Sequence, residues 1–466
     1  MTSLSRADLN NGTAVGPQGE GMDSPSNFST YPAYKDSGIE WLGEVPEHWK
    51  EKPFFSLVSE RCESNAGMKQ ENLLSLSYGR IVNKDINSLD GLLPASFETY
   101  QVVHPGDIVF RLTDLQNDKR SLRSAIVREA GIITSAYLAG VCRGIFPEFA
   151  SFLFRAYDSI KVFYSMGGGL RQSMKYSDMK WLPIFLPEWQ EQTQIARFLD
   201  HETARIDALI EEQQRLIELL KEKRQAVISH AVTKGLDPTV PMKDSGVEWL
   251  GEVPAHWVVS RAKLVSDIFV PQRNKPELND SEGIPWVTME DMNGGYISAT
   301  NLKVTELAAR EAGSKVLKKG AVIASCVGRF GIVAINAVDV VINQQLQAFE
   351  PRKIKAEYLR SIVSLSKEYF ELTGTAATLV YVNQQGFENL PVLVPSAGEQ
   401  ESICLYIDEA NARFDALLSQ SFESIQLLQE RRSALISAAV TGKIDVRGWQ
   451  PPASTLAPKL EVAEVN

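Results

Sequence analysis

Residues 35–49 read KDSGIEWLGEVPEHW and residues 243–257 read KDSGVEWLGEVPAHW, so 13 of 15 positions are identical at an offset of 208 residues. A second pair of segments repeats at the same offset: residues 182–237 match residues 390–445 at 24 of 56 positions without a gap. Self-similarity at a fixed period is the signature of a repeated architecture. The chain is therefore an internal duplication, in which two copies of one frame follow each other.

The segments between the matched parts of the frame diverge. Residues 58–180 and 266–388, here called the first and second inserts, share few identities. In a repeated scaffold this division indicates that the frames serve assembly and the inserts serve specificity. Residue spacing predicts both strands and helices in the inserts. The predicted strands are 107–112, 125–127, 284–289, 321–325 and 331–335, and the predicted helices are 149–164 and 358–372.

The second part of each frame is predicted to be a long helix, because apolar residues recur there every three or four positions. Ser396 and Glu399 form an S-x-x-E capping box at one helix start, and Gly235 and Gly442 are expected as left-handed caps. A helix of about 40 residues is roughly 60 Å long. Such a helix outruns a single domain of about 150 residues. We therefore predict that the two helices pair with each other, rather than packing only on their own domains. The predicted coiled-coil seam is Leu199, Ile206, Leu209, Leu220, Ile407, Phe414, Leu417 and Leu428.

Length and composition place the chain among ordinary globular proteins. It has 466 residues, of which 44% are hydrophobic and 23% charged, so about three domains are expected. No apolar run approaches the roughly 20 residues of a membrane span, and residues 1–30 lack the apolar segment of a signal peptide. The four cysteines form no CxxC pair. We expect buried thiols and a cytoplasmic location.

Charge is distributed unevenly along the chain, whose formal net charge is −10. Residues 188–222, in the first long helix, carry nine acidic and four basic side chains. Residues 310–360, in the second insert, carry nine basic and four acidic side chains. This pattern favours inserts that contact phosphate and helices that contact protein. An ordinary solvated surface is the alternative explanation.

Two polar loops at equivalent places are candidates for reading DNA bases. Residues 165–180 and 373–388 differ in their side chains, with Arg and Lys in the first loop and Asn and Gln in the second. Arg and Lys pair with guanine, and Asn and Gln with adenine, through major-groove hydrogen bonds. A polar surface loop without a ligand is the alternative. The candidate DNA-binding residues are Arg111, Lys119, Arg120, Arg123, Arg171, Gln172, Lys175, Tyr176, Lys315, Lys318, Arg329, Tyr381, Asn383, Gln384 and Gln385.

No arrangement of residues predicts catalysis. His201 and Glu202 begin like a zinc-binding HExxH motif, but Arg205 stands where the second histidine ligand would be. The pair Asp178 and Lys180 alone lacks the converging carboxylates of a metal nuclease. There is no phosphate-binding GxxxxGK[ST] loop. We expect no catalytic residue, no metal site and no cofactor bound by this chain.

The repeated motifs resemble those of the specificity subunit of type I restriction–modification systems. The resemblance rests on the two 15-residue repeats, on the LPxxxP…EQxxIxxxLD/ID…ARxDAL pattern of 182–209 and 390–417, and on the helix ends ISHAVTKG and ISAAVTGK. It implies two target-recognition domains, each binding one half of a split DNA target, and an antiparallel helix pair that sets their separation. It also implies a non-catalytic chain that recruits two methyltransferase subunits and two nuclease-translocase subunits. Those partners would use S-adenosylmethionine, ATP and magnesium.

The expected fold class is α+β, with two α/β target-recognition domains separated by two long helices that pair as an antiparallel coiled coil in an internal pseudo-twofold repeat. The expected function is sequence-specific binding of double-stranded DNA, with no membrane association. A coiled-coil adaptor that does not read DNA and a self-sufficient nuclease or methylase are the alternatives. The expected segments are a disordered tail at 1–30, domains at 31–186 and 236–394, helices at 187–235 and 395–442, and a tail at 443–466.

Overall fold

The computed structural model describes residues 28–86, 96–115, 122–166, 173–292, 295–374 and 380–452. Contacts divide the chain into two units. The first unit comprises the residues up to Glu212 together with those from Ser424 onward, and the second unit is Gln213–Glu423. Each unit therefore contains one insert and a part of each long helix.

Twelve strands are described in each unit. In the first unit they are β1 (Tyr34–Asp36), β2 (Glu44–Pro46), β3 (Lys50–Pro53), β4 (Val58–Glu60), β5 (Leu73–Ser77), β6 (Arg80–Lys84), β7 (Gln101–Val103), β8 (Ile108–Phe110), β9 (Ser124–Ile126), β10 (Gly131–Ile133), β11 (Leu138–Cys142) and β12 (Pro183–Leu186). In the second unit they are β13 (Met242–Asp244), β14 (Glu252–Pro254), β15 (Val258–Arg261), β16 (Ser266–Phe269), β17 (Ile284–Val287), β18 (Tyr296–Ile297), β19 (Lys303–Val304), β20 (Val322–Ser325), β21 (Val333–Asn336), β22 (Val341–Ile342), β23 (Leu346–Pro351) and β24 (Pro391–Val394).

The helices are of two kinds, short ones within the units and two long ones. The short helices are α1 (Phe54–Leu57), α2 (Pro147–Ser159), α3 (Tyr176–Met179), α5 (Ala262–Val265), α6 (Glu306–Glu311), α7 (Ala356–Leu365), α8 (Lys367–Thr373) and α9 (Gln384–Glu388), and 3-10 helices cover Val162–Ser165 and Met289–Met292. The long helices are α4 (Trp189–Lys234) and α10 (Ala397–Val440).

The frame strands pair in the same register in both units. Tyr34 pairs with Pro46 in the β1–β2 hairpin, and Met242 pairs with Pro254 in β13–β14, each 208 positions later. The base of each insert is closed in the same way, because β3 pairs with β12 and β15 pairs with β24 in antiparallel register. The duplication seen in the sequence is therefore a duplication of backbone structure.

The insert sheets differ between the units. The first insert forms two four-stranded sheets, in the orders β6-β5-β10-β7 and β4-β11-β8-β9. The second insert forms a five-stranded sheet, β16-β23-β20-β21-β18, and a three-stranded sheet, β19-β17-β22. The order β4-β11-β8-β9 corresponds to β16-β23-β20-β21, so one frame supports two inserts that share a core sheet and differ in the strands added to it. Each insert has its own buried apolar clusters.

The long helices contact each other in antiparallel fashion within each unit. In the first unit Arg432 of α10 donates to both carboxylate oxygens of Asp207 in α4, at 2.8 and 3.2 Å. Further back along α4, the Gln194 amide donates to the backbone oxygen of Val446. In the second unit Arg224 donates to Asn411 at 2.7 Å. The helix ends follow the expected chemistry, because Gly235 and Gly442 have φ of +76° and +73°.

The predicted seam is correct only in part. Leu199, Ile206 and Ile407 are buried, whereas Leu417 is 46% exposed, so its assignment to the seam is wrong. Apolar residues spaced alternately by three and four positions repeat every 3.5 residues on average, whereas the helix has 3.6 residues per turn. Positions that keep this spacing therefore rotate gradually around the helix, and Leu417 lies at the surface. The remaining predicted positions are half-buried, namely Leu209, Leu220, Phe414 and Leu428.

The two extremes of this seam give a direct stability test. Replacing Ile206, which is 1% exposed, by alanine is expected to lower the free energy of unfolding by about 2–5 kcal/mol, because a cavity replaces a buried side chain. The matched change Leu417→Ala is expected to cost under about 1 kcal/mol, since that side chain already contacts water. Urea unfolding of both variants checks the difference. Equal losses would contradict the burial pattern.

The expected C-terminal tail is partly a structural segment. Ile444 and Val446 are buried in the core of the first unit, and the Trp449 ring packs against Phe198 at 5.3 Å. The backbone N–H of Asp445 donates to the Ser29 carbonyl at 2.7 Å. Residues 444–449 and 28–31 therefore belong to the first unit, and the remainder of both expected tails, 1–27 and 453–466, lies outside the described residues.

Two further expectations concern membranes and thiols. Among the residues described, no helix is long and apolar enough to span a membrane. The expectation of buried thiols is right for Cys326 and wrong for Cys62, which is exposed, while Cys142 and Cys404 are half-buried.

Candidate nucleic-acid interface

A buried carboxylate fixes the frame of the first unit. Glu191, near the start of α4, accepts a hydrogen bond from the Tyr31 hydroxyl at 2.7 Å and another from the Trp49 indole N–H at 3.0 Å. The His48 Nε2 lies 2.8 Å from the other carboxylate oxygen. Because Trp49 follows the β1–β2 hairpin, these bonds tie the hairpin to the long helix. The His-Trp end of the repeated motif is thus a packing corner.

The second unit repeats this arrangement with one change. Glu399 of α10 contacts His256 Nε2 at 2.7 Å and accepts from the Trp257 indole at 3.1 Å. The position equivalent to Tyr31 is Thr239. In place of a tyrosine, the Ser396 hydroxyl donates to Glu399 at 2.7 Å, which is the predicted capping box. In each frame, therefore, one carboxylate contacts three groups: a histidine ring, a tryptophan indole and a hydroxyl.

The Glu399 contacts make the second unit sensitive to acid. Partial burial acts to raise the pKa of Glu399, but the hydrogen bonds from His256, Trp257 and Ser396 outweigh it and lower the pKa to about 2. A carboxyl group whose pKa is depressed by folding stabilises the fold above its unfolded pKa of about 4.3. This stabilisation is expected to disappear between about pH 4.3 and pH 2. Glu399→Gln should flatten the dependence of unfolding free energy on pH in that interval, and an unchanged slope would contradict the assignment.

In the first insert, the structure brings Arg111, Lys175 and Tyr176 together. Arg111 follows β8. The carbonyl of the next residue, Leu112, accepts a hydrogen bond at 2.9 Å from the backbone N–H of Met174, which precedes Lys175. Lys175 is exposed, whereas the Tyr176 hydroxyl donates to the Val58 carbonyl at 2.8 Å. Lys175 and Tyr176 line a groove of about 490 Å³. Lys175 is therefore the side chain of this set best placed to reach a ligand.

Next to this groove lies an aromatic pair that the sequence analysis missed. The Trp181 ring is 71% exposed and packs edge-on against Phe55, with ring centroids 4.9 Å apart. Lys180, which lines the groove, holds its ammonium 6.0 Å from the Trp181 ring centroid. An exposed tryptophan beside lysines is typical of surfaces that stack on bases. The available signal was the Lys-Trp dipeptide directly before β12.

The second insert has its polar loop at the equivalent place. The backbone N–H of Val382 donates to the Cys326 carbonyl at 2.9 Å, and the Gly328 N–H donates to the Val380 carbonyl at 2.9 Å. Residues 380–382 therefore lie beside the end of β20. This pairing brings Tyr381 close in the chain fold to Arg329, the residue after Gly328. Asn383 caps α9 by accepting from the Gly386 N–H at 3.0 Å. Gln384 and Gln385 are exposed on the first turn of that helix.

The described C-terminal parts of the two loops are equivalent structural elements with different side chains. Lys175 is the N-cap residue of α3 and Asn383 is the N-cap residue of α9, and the two positions are one repeat of 208 residues apart. Ammonium and amide groups recognise different base edges. The frame thus presents two different side chains in equivalent positions.

Sequence and structure comparisons point to one family. A family model described as the type I restriction modification DNA specificity domain matches residues 254–426. The putative type I restriction enzyme MjaX specificity subunit of Methanocaldococcus jannaschii is 22% identical over 427 residues, which cover 87% of this chain and 96% of that protein. The chain is similar in sequence to type I restriction enzyme specificity subunits.

Two further comparisons agree. The type I restriction enzyme MjaIX specificity subunit of Methanocaldococcus jannaschii is 22% identical over 189 residues, which cover 39% of this chain and only 43% of that protein. A solved chain from a study of complex assembly and conformational transition of the type I R-M system aligns with a TM-score of 0.66 at 17% identity, covering 85% of this chain and 98% of that one. This chain thus shares the fold of that solved chain.

Some residues predicted to contact DNA lie apart from the loops. Lys315 and Lys318 are exposed before the start of β20, whereas Arg329 follows its end, about 13 Å away along a strand of four residues. Lys318 also pairs with Asp339 at 2.8 Å. Four predicted residues lie outside the described part of the chain, namely Lys119, Arg120, Arg171 and Gln172.

Arg123 must be removed from the candidate contacts. Its side chain is fully buried, and its guanidinium donates to the backbone oxygens of Thr113 at 2.9 Å and Asp114 at 3.3 Å. These bonds hold the turn after β8 in place. A buried arginine that is satisfied by carbonyls contributes to structure and cannot reach a DNA duplex.

The described residues offer no metal site. No group of three His, Cys, Asp or Glu side chains in the described ranges could hold a metal ion. Asp178 accepts a hydrogen bond from the Lys175 backbone N–H at 2.8 Å, so it caps α3. His201 contacts the neighbouring Glu202 at 3.1 Å.

Proposed function

We propose that this chain is the DNA-sequence-reading subunit of a type I restriction–modification complex. Each unit would read one half of a bipartite target in double-stranded DNA, for adenine methylation and for restriction. The observation that carries the proposal is the equivalent placement of Lys175 and Asn383 on two copies of one frame. A duplicated frame with different readers fits a target made of two unlike halves.

The charge of the loops and their surroundings supports contact with DNA. The first groove contains Lys175 and Lys180, and the exposed Trp181 lies next to it. Positive side chains contribute affinity for phosphate, and exposed aromatic rings contribute stacking. In the second unit Arg329 and the exposed amides of Asn383 and Gln384 provide the corresponding groups.

We further propose that the chain contributes no catalysis and binds no cofactor itself. Methyl transfer and DNA cleavage would belong to its partners, two methyltransferase subunits and two nuclease-translocase subunits, which would use S-adenosylmethionine, ATP and magnesium. The two copies of the frame support two equivalent partner surfaces. Mass measurement of the complex reconstituted with the methyltransferase is expected to give two methyltransferase subunits per chain.

Methylation-sensitive long-read sequencing tests the function directly. A host that carries this gene together with its methyltransferase partner is expected to show adenine methylation at one bipartite sequence. Deleting this gene alone should abolish methylation at that sequence. Unchanged methylation after the deletion would favour the alternative of an adaptor that does not read DNA. Methylation by the purified chain alone would favour a self-sufficient enzyme.

A further inference from the structure

A second basic site lies in the first unit, away from the loop that carries Lys175. A cavity of about 250 Å³ opens between the β5–β6 hairpin, β9 and α2. Three guanidinium side chains line it, those of Arg80, Arg128 and Arg155, together with one carboxylate, Glu129. Arg128 pairs with Glu148 at 3.1 Å, so its charge is already compensated.

Arg155 is the unusual member of this set. Its side chain is half-buried, and Nη2 donates to the Gly79 carbonyl. Its Nε atom is itself buried and has no hydrogen-bond partner among the described residues. No carboxylate of the described residues forms an ion pair with it, although Asp158 lies three positions later on α2. Burying part of a charged group that has no direct ion pair is unfavourable.

Neighbouring charges reinforce the positive potential at this place. Burial, together with the nearby Arg432 and Arg80, lowers the pKa of Arg155 to about 10 despite the opposing attraction of Asp158 and Asp207, so the group still carries its charge at neutral pH. Arg432 is itself bound to Asp207. Arg80 is 75% exposed and lies 3.8 Å from the same Asp207 carboxylate, a long and weak contact that leaves it able to turn to a ligand.

The hairpin that Arg155 supports has a strained tip. Tyr78 and Gly79 connect β5 to β6 in two residues with φ of +46° and +73°, the signs of a type I′ turn. Such turns favour Asn, Asp or Gly at the first position, and a tyrosine there is strained. The Tyr78 side chain is nevertheless 79% exposed. Strain and exposure together are found where a residue serves binding rather than folding.

We propose that this cavity binds a phosphate group between Arg155 at its base and Arg80 at its rim. A phosphate would supply the direct ion pair that Arg155 lacks and an acceptor for its unpartnered Nε. Guanidinium groups bind phosphate through paired, charge-assisted hydrogen bonds. The phosphate comes either from the DNA backbone, in which case the inference rests on the proposed function, or from a small phosphate-bearing molecule.

Two variants and a control test the site through DNA binding. Arg80→Gln removes an exposed charge, and Arg155→Met removes the buried one. Arg413→Gln is the control, because Arg413 is 81% exposed on α10 and pairs with Glu409 at 3.7 Å, outside the cavity. The full chain, assembled with its methyltransferase, binds a duplex that contains its methylated sequence over a range of salt concentrations. If the DNA backbone is the source, each site variant should reduce the salt slope of log K by about 0.9, without changing the preferred sequence.

A second measurement uses inorganic phosphate as the probe. The thermal unfolding midpoint of the full chain is measured in phosphate and in chloride at equal ionic strength. If a small molecule is the source, phosphate should raise the midpoint of the wild-type chain and of Arg413→Gln, but not that of Arg80→Gln. Because Arg80 is exposed, this variant keeps the test decisive even if Arg155→Met unfolds.

The outcomes separate the inference from the proposed function. Salt slopes and midpoints that are the same in wild type and Arg80→Gln would overturn the phosphate site and leave Arg155 as a support for the turn. Failure of the wild-type complex to prefer any sequence would overturn the proposed function. The unfolding midpoints in phosphate and chloride would still show whether the cavity binds phosphate.

Discussion

Exchanging the first insert is expected to change one half of the DNA target and leave the other half unaltered. The exchanged segment, residues 58–180, lies between β3 and β12, whose antiparallel pairing remains in the frame. A foreign insert therefore joins a base that is already closed. The second unit keeps its own loop with Asn383 and Gln384. Methylation-sensitive sequencing of a host that expresses the hybrid measures both halves at once.

The reciprocal exchange provides the control for this experiment. Replacing residues 266–388, between β15 and β24, should alter the other half-target only. A hybrid that still methylates DNA but has changed in both halves, or in neither, would show that the units do not read independently.

Loss of the Glu191 carboxylate is expected to destabilise the first unit by about 2–4 kcal/mol, since each buried donor left without an acceptor costs about 1–3 kcal/mol. Glu191→Ala would orphan the Tyr31 hydroxyl and the Trp49 indole, whose residues are 3% and 1% exposed. Hydrogen exchange resolved along the chain, combined with urea unfolding, locates and measures the loss.

The matched variant is Glu399→Ala, at the equivalent position of the second frame. Its side chain is 37% exposed, compared with 9% for Glu191, so water can replace part of the lost bonds. A smaller loss is expected. If Glu399→Ala proved more damaging than Glu191→Ala, burial would not be what sets the strength of these contacts.

The repeat made the frame predictable from sequence. Two copies of the same 15 residues, and of the same helix pattern, reveal which positions share a role. Local signals also identified the capping box of Ser396 and the glycine caps. These features depend on residues close together in the chain, so sequence spacing describes them well.

Features that depend on distant residues were not predictable in this way. Arg123 is of a residue type that commonly contacts DNA. Its guanidinium instead donates to backbone carbonyls ten and nine positions earlier, and residue spacing does not reveal such bonds. The segment around Val446 resembled a tail, although it completes the core of the first unit. Tyr78 and Gly79 did carry a local signal, because an aromatic residue followed by glycine joins two alternating runs there.

The discontinuity of the first unit has a consequence for synthesis on the ribosome. The second unit is one continuous stretch, Gln213–Glu423, whereas the core of the first unit needs Leu435, Ile444 and Val446 as well as residues before 212. The Ser29–Asp445 bond joins positions 416 residues apart. The second unit can therefore assemble while translation continues, but the first must wait with apolar surface uncovered until nearly the whole chain has emerged. At about 5–20 residues per second, the delay between residue 212 and residue 446 is roughly 10–50 s, a period in which chaperone binding would protect the earlier half.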